Sequence, residues 1–424
     1  MEYIFLSSYR LFLGGCCLIL TIYPWGKGNS QSLHAGAAQH TLHPMQDSLY
    51  FAGAERNRKF IDVEDGLYVK AVALERGDTS MAILTFDCIG LMYPELVRIR
   101  ERVKQLIPGF TTEHLVMSST HTHTGPDVVG LWGKDQMSSG INDIFLDSLV
   151  EWSAKTVSMA WQSRVPVSLD LATGQFGEDW VRNISEPELI DRTVSVIRLR
   201  DSINRNIATL TNFACHPTIL IGVTKGGSAD YVAGYYQYLD SVQGGVNLFL
   251  QGAIGGWVQP EDVPRAYANA IHYGRELGRY TSAIICQGIR SSTDRLVLRR
   301  QTLNLPVRNE GFRLLSQIGV IKRTFAETVP TEIACFRIGD ALFATHPGET
   351  SPALSLTTRS LMQNSGPRFV LGLGMDALGY ILKPTYFVPK NLIPHSPYLT
   401  SMSLGPDTFP EVENALKILL SLPY

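Results

Sequence analysis

Short apolar runs recur along the chain, and each of them leads into a cluster of polar residues. Their length and their content of Val, Ile, Leu and Phe predict β-strands. The runs are MAILTF (81–86), HLVMSS (114–119), IATLTNFA (207–214), VNLFL (246–250), EIACFRI (332–338), ALFAT (341–345) and RFVLGLG (368–374). The polar residues that follow them are Asp87, Thr120, His121, His216, Gln251, His346, Glu349, Asp376 and Tyr380. EIACFRI and ALFAT are separated by a Gly-Asp turn, which predicts a hairpin.

Longer segments with apolar residues at helical spacing lie between these runs. They predict helices over residues 94–107, 143–163, 262–285, 351–364 and 409–422. Strands and helices mixed in this way indicate an α/β (mixed α+β) domain, with mixed sheets and helices packed on them. Ligands of such folds bind beyond the carboxyl ends of the strands. We therefore expect the functional site where the polar clusters follow the strands.

Composition narrows the class of protein. The chain has 424 residues, 45% hydrophobic and 18% charged, which is enough for a large core in one domain or two closely packed ones. The net charge of -2 and the absence of a basic block argue against a nucleic-acid partner. The six cysteines show no CxxC spacing, which excludes a thiolate zinc site of the usual pattern. Cys88, Cys286 and Cys335 lie in apolar runs and are predicted to be buried thiols.

The N-terminal segment differs from the rest of the chain. Residues 1–25 are apolar with one arginine and no periodicity, and a short polar linker follows. This pattern is typical of a secretory signal or a membrane anchor, and the alternative is an extension of no structural importance. We expect residues 1–33 to be this segment with its linker, residues 34–424 to be the catalytic domain, and the protein to be secreted, periplasmic or anchored to a membrane.

The stretch SSTHTHTGPD contains two histidines, His121 and His123, spaced i and i+2. In an extended chain both side chains leave the same face. They can therefore address one centre, as two metal ligands or as one ligand and one hydrogen-bonding partner. The alternative is a pair of hydrogen-bonded histidines at the end of a strand.

Two further residues have the chemistry of metal ligands. His216 precedes a proline at a strand end, and Glu349 follows a Pro-Gly turn, with His346 as a rival ligand in the same turn. Two histidines, one glutamate and an open position make up a catalytic zinc site, which would activate a water molecule. Taken singly, His216 can be structural and Glu349 can be a residue favoured by a helix dipole. The chain has no HExxH, GxSxG or Walker A motif.

These residues lie in motifs that resemble the neutral/alkaline non-lysosomal ceramidase family, over its N-terminal catalytic domain. In chain order the motifs are HAGAAQHTLHP, SSTHTHTGPD, NFACHPT, SADYVAGY, LFLQGAIGG, HPGE and LGYI. The resemblance implies one zinc ion per chain, held by His121, His216, Glu349 and Tyr380. The spacing alone does not point to Tyr380.

The resemblance also implies roles beside the metal. His123 would bond the substrate carbonyl or its developing oxyanion, and Arg182 would lie near the site, with a surface salt bridge as the alternative for Arg182. The proton donor to the leaving amine is unassigned. Asp230 is a candidate for this role, and the alternative is that Asp230 is a solvated carboxylate in a turn.

Two departures from the family bear on the substrate. The segment GGWVQPED has no counterpart of the family's essential serine, and the chain is similar to a short form without the C-terminal immunoglobulin-like domain. We therefore expect a zinc-dependent amidohydrolase that cleaves an N-acyl amide bond, in a ceramide-type lipid or a small N-acyl substrate, by zinc-activated water. The alternatives are a zinc hydrolase of another ester or N-acyl sugar, and an inactive metal-stabilised binding protein.

Overall fold

Within the described residues, the strands form three large sheets and three two-stranded ones. A computed structural model of the chain describes residues 32–43, 49–53 and 55–424. The predicted signal or anchor segment, up to residue 31, lies outside this range. The strands are β1 (His34–Leu42), β2 (Asp62–Val63), β3 (Leu67–Arg76), β4 (Thr79–Phe86), β5 (Leu115–Ser119), β6 (Val165–Pro166), β7 (Ser168–Gln175), β8 (Val181–Asn183), β9 (Thr193–Arg200), β10 (Asn206–Phe213), β11 (Gly226–Gly227), β12 (Val246–Gln251), β13 (Val258–Pro260), β14 (Ile289–Arg290), β15 (Leu296–Pro306), β16 (Thr328–Ile338), β17 (Ala341–Thr345), β18 (Glu349–Thr350), β19 (Arg368–Leu371) and β20 (Tyr380–Ile381).

Helices pack on these sheets and bury an apolar face against them. They are α1 (Tyr93–Leu106), α2 (Asp143–Gln162), α3 (Tyr231–Val242), α4 (Tyr267–Cys286), α5 (Glu310–Gln317), α6 (Pro352–Leu361), α7 (Ser396–Ser401) and α8 (Thr408–Leu420), with short 3-10 turns at Thr112–His114 and Pro384–Phe387. None of the helices within the described ranges is long and apolar enough to cross a bilayer.

Each large sheet contains one pair of parallel strands among antiparallel ones. The strand orders are β5-β4-β3-β1-β6, β12-β10-β9-β7-β14 and β15-β16-β17-β19. The parallel pairs are β4 with β5, β10 with β12, and β17 with β19. This architecture confirms the mixed α/β class, and it leaves the carboxyl ends of each parallel pair at one edge of its sheet.

Backbone hydrogen bonds join the carboxyl ends of strands from different sheets. The amide of Gly372, after β19, donates to the carbonyl of Gln251 at the end of β12 over 2.9 Å. The amide of Met375 donates to the carbonyl of Met117 in β5 over 2.8 Å. Polar residues that follow strands of all three sheets are thereby brought to one place.

The core consists of two large clusters of buried apolar side chains. One unites the first two sheets with α1 to α4, and the other lies between the third sheet, α6 and α8. A third, small cluster of Tyr380, Leu382, Tyr386 and Leu399 packs beside the polar strand ends. Residues Ser32–Tyr424 together form one compact unit.

Most predicted elements exist, with differences at their ends. The predicted hairpin is confirmed, since β16 and β17 pair antiparallel around Gly339. The helix predicted from residue 262 begins at Tyr267, because Pro264 lies in the segment before it. Helix α3 was not predicted, because its first six residues, 231–236, are all buried and the exposed polar residues begin only at Gln237. Cys286 is exposed at the end of α4, so its predicted burial is wrong.

Candidate metal centre

His121 lies just beyond β5 in a backbone conformation that its neighbours impose. Its φ is +67°, in the left-handed region that non-glycine residues seldom adopt. Its amide donates to the carbonyl of Cys88 over 3.0 Å, and its Nδ1 lies 2.5 Å from the carbonyl of Ile89. A carbonyl only accepts, so Nδ1 carries the proton and Nε2 is left free to bind a ligand.

His216 and His123 are held in the same way. Nδ1 of His216 donates to the carbonyl of Val258 over 2.7 Å, and Nδ1 of His123 donates to the carbonyl of Gly53 over 2.7 Å. Backbone carbonyls that fix a ring through Nδ1 are typical of metal-binding histidines. Burial lowers the pKa of both rings below the ordinary value, so they are neutral, as metal ligands must be.

The carboxylate of Glu349 contacts the rings of both His121 and His216. One of its oxygens lies 3.3 Å from Nε2 of His121 and 3.1 Å from Nε2 of His216. Burial acts to raise the pKa of this carboxyl, but the contacts with the two imidazoles outweigh burial and lower it. A carboxylate buried among histidine rings is an arrangement that a cation stabilises.

Tyr380 is brought beside Glu349 by the pairing of two short strands. β18 and β20 are parallel with Glu349 opposite Tyr380, which places the phenol within the electrostatic influence of the carboxylate. The Tyr380 oxygen also accepts a hydrogen bond from the indole of Trp257 over 2.8 Å. Burial, together with the charge of Glu349, raises the pKa of Tyr380 well above its ordinary value.

The spacing of the donor atoms fits a small tetrahedral cation. Zinc with bonds of about 2.0 Å has ligand atoms about 3.3 Å apart, close to the distances from Glu349 to the two histidines. Ring nitrogens of His121, His123 and His216 lie within 4.8 Å of one another, which identifies a possible metal-binding group. Within the described chain, the buried Nε2 of His123 has no hydrogen-bond partner.

Two cavities adjoin this cluster from different sides. The larger, about 360 Å³, is lined by His123, His216 and Tyr380 at the cluster, by Trp257, Ile219 and Tyr398 on its walls, and by Arg182, Glu261, Asp262 and Arg265 at its polar rim. A narrow crevice of about 60 Å³ adjoins His121 and Glu349 and is lined mainly by apolar side chains such as Phe312, Phe325 and Met402. The cluster is thus accessible from a polar side and borders an apolar one.

Arg182 lies at the rim of the larger cavity, not at the cluster. Its guanidinium is 2.5 Å from Asp262 and 3.5 Å from Glu261, and 33% of the side chain is exposed. Arg182 therefore lines the larger cavity and also forms salt bridges at its rim.

Other polar residues singled out at strand ends have structural roles. Both ring nitrogens of His346 bond threonine hydroxyls, at 2.8 and 3.0 Å, so His346 is not a ligand in this arrangement. Asp230 is fully buried and caps α3, where it accepts from the amides of Leu220 and Tyr231. Burial raises the pKa of Asp230 to about 6. The expectation of a solvated turn carboxylate there is wrong.

The sequence patterns did not identify two residues of the site. Gly53 supplies the carbonyl that orients His123, and Trp257 contacts Tyr380 from the segment GGWVQPED. A glycine with φ of +81° in a short loop carries no chemical signal in the sequence. Trp257 could have been noticed, since a bulky apolar residue in a Gly-Gly turn is unusual.

Comparison with solved structures identifies the fold. A crystal structure of neutral ceramidase from Pseudomonas aeruginosa matches with a TM-score of 0.74 and 16% identity, over 93% of this chain and 75% of that chain. A ceramidase complexed with C2 matches with a TM-score of 0.75 and 15% identity, over 92% of this chain and 75% of that chain. No protein-family profile and no curated protein sequence matches the chain. The protein thus has the neutral ceramidase-like fold that its motifs suggested.

Proposed function

We propose that the protein is a zinc-dependent hydrolase that cleaves an N-acyl amide bond in a ceramide-type lipid or a smaller relative. The observation that carries the proposal is the approach of Glu349 to Nε2 of both His121 and His216, at 3.3 and 3.1 Å, with each ring fixed through Nδ1. The ceramidase-like fold supports the same reaction class.

His121, His216, Glu349 and Tyr380 would hold the zinc. When bound there, zinc acts as a Lewis acid that activates water near neutral pH and polarises a carbonyl. The backbone carbonyls of Ile89 and Val258 keep the two histidines in the required tautomer.

His123 would move the proton of the reaction. Its Nδ1–H is donated to Gly53, so Nε2 of the neutral ring is a proton acceptor, and His123 lines the larger cavity. It can take a proton from water as the water oxygen adds to the substrate carbonyl. The imidazolium then bonds the oxyanion through Nε2–H and passes that proton to the amine nitrogen as the C–N bond breaks. His123 thus serves as base and then as acid.

Arg182 would contact the polar part of the substrate at the rim of the cavity. Its salt bridges to Glu261 and Asp262 hold the guanidinium in place, and a second polar group can reach the exposed third of the side chain. A direct role of Arg182 at the oxyanion stays a prediction. Secretion or anchoring through residues 1–33 is likewise part of the proposal.

The polar rim favours a second candidate substrate, an N-acyl amino sugar or an ester. Four charged side chains at the rim suit a hydroxyl-rich leaving group as well as the head group of a lipid. The metal site and the proton relay are the same for both candidates, so turnover must distinguish them.

Metal analysis combined with a substrate panel tests the proposal. We expect about one zinc per chain, lost in His121→Ala and in Glu349→Ala but retained in the control His272→Ala, whose side chain is exposed on α4. The panel comprises N-acyl-sphingosine, an N-acyl amino sugar and a p-nitrophenyl ester. Stoichiometric zinc in both site variants would contradict the site. Zinc without turnover on any substrate would indicate a binding protein instead.

A further inference from the structure

Trp257 adopts a backbone conformation that is costly for its side chain. Its φ is +62°, in the left-handed region, where a bulky residue is strained by about 1–2 kcal/mol. It stands in the segment GGWVQPED, which has no counterpart of the serine of the family that the chain resembles. Strain of this kind persists only where the surrounding contacts determine the conformation.

The contacts of the Trp257 side chain are directed at the candidate metal centre. Its Nε1–H donates to the hydroxyl of Tyr380 over 2.8 Å. Its ring lies 4.5 Å from the ring of His395 and 5.5 Å from that of Tyr398. His395 is also left-handed, with φ of +59°. Two residues with left-handed backbones therefore contact each other through their rings, and Trp257 also lines the larger cavity.

The direction of the hydrogen bonds defines what Trp257 does to Tyr380. An indole N–H only donates, so the Tyr380 oxygen is the acceptor of the bond from Trp257. Glu349 lies opposite Tyr380 in the pairing of β18 with β20. The bond from Trp257 therefore fixes the position of the Tyr380 oxygen beside Glu349.

We propose that Trp257 is a positioning residue that holds the Tyr380 oxygen at the metal centre and so increases the metal affinity of the site. The inference rests on the proposed zinc site, but its test separates the two. Partners that orient metal ligands typically contribute about 10–100-fold in metal affinity. In the segment that lacks the family's serine, Trp257 would thus act through a metal ligand and not on the substrate.

Zinc affinity of the purified full chain, measured by competition with a chromophoric chelator, is the readout. Trp257→Phe keeps an aromatic ring and removes the N–H donor, so we expect zinc to bind about 10–100-fold more weakly. The matched control is Trp161→Phe on α2, whose ring packs on Phe110 and lies outside both cavities. We expect less than about a twofold change in that variant.

A double-mutant cycle shows whether Trp257 acts through Tyr380. In a Tyr380→Phe background the indole has no oxygen to hold, so Trp257→Phe should cause little further loss of zinc affinity. Equal losses in both backgrounds would overturn the inference, as would unchanged affinity in Trp257→Phe alone. Failure of the parent protein to bind zinc would instead overturn the proposed function.

Discussion

Substitution of Gly53 by alanine tests the role of His123 without altering any proposed metal ligand. Gly53 has φ of +81°, and its carbonyl accepts the Nδ1–H of His123 over 2.7 Å. A Cβ added at residue 53 would lie 2.4 Å from Nδ1 and 2.5 Å from Cγ of His123. Gly53→Ala therefore pushes directly on the imidazole ring.

The size of the effect follows from these distances. Non-bonded atoms pack at about 3.5 Å, so the ring must move by about 1 Å. Alanine in the left-handed region costs about 1–2 kcal/mol, and the lost hydrogen bond adds about 1 kcal/mol. A displacement of about 1 Å in a group that transfers a proton can lower turnover about 100-fold.

The assay compares kcat and zinc content of Gly53→Ala with those of Gly109→Ala. Gly109 has φ of +86°, and a Cβ there would meet nothing within 4 Å among the described atoms. It therefore carries the backbone cost without the contact with His123. We expect Gly53→Ala to retain one zinc per chain and to lose about 100-fold in kcat, while Gly109→Ala retains both.

Two results would refute this reasoning. Unchanged kcat in Gly53→Ala would show that the position of His123 is irrelevant to the chemistry. Loss of zinc from Gly53→Ala, but not from Gly109→Ala, would show that His123 is itself a ligand, in keeping with the three histidine nitrogens that lie within 4.8 Å of one another.

Three further predictions concern stability. For a unit of about 390 residues the entropy of unfolding is about 0.8 kcal/mol per kelvin. Zinc at about 1,000 times its Kd should therefore raise Tm by about 5 °C in scanning calorimetry. Glu349→Gln should abolish this rise. Asp376→Ala leaves the buried cation of Arg323, 2.6 Å away, unpaired and should lower the free energy of unfolding by about 3–5 kcal/mol in urea titrations, with m unchanged. Burial raises the pKa of Asp65 from 3.8 to about 7, so the folded state binds a proton that the unfolded state has released. The free energy of unfolding should therefore fall by about 4 kcal/mol between pH 4 and pH 7. This contribution should be missing in Asp65→Asn, and identical pH profiles of the two proteins would contradict it.

Local pattern was enough to predict many of the elements and part of the site. Strand and helix periodicity depends on neighbouring residues, so the runs before His121, His216 and Glu349 were recognisable as strands. Parallel strands present their carboxyl ends at one edge of a sheet, so these three side chains were expected to meet. In the structure a carboxylate oxygen of Glu349 lies 3.3 Å from Nε2 of His121 and 3.1 Å from Nε2 of His216.

The resemblance to the ceramidase family identified one residue, Tyr380, that the sequence pattern alone did not. A tyrosine after a turn has no intrinsic signal for a metal site, and Tyr380 was named only from its motif. Its position depends on the pairing of β18 with β20, which aligns two segments about thirty residues apart. Register between two-residue strands is decided by the surrounding packing and cannot be read from either segment.

The sequence by itself determined the fold class and the residue types of the candidate centre, whereas tertiary structure decided how these residues differ. His121 and His123 are equivalent in an HxH motif, but one adjoins Glu349 and the other is turned towards Gly53, which lies 70 residues earlier. Trp257 reaches Tyr380 across 123 residues. Such contacts depend on the closure of the whole chain, which local periodicity does not encode.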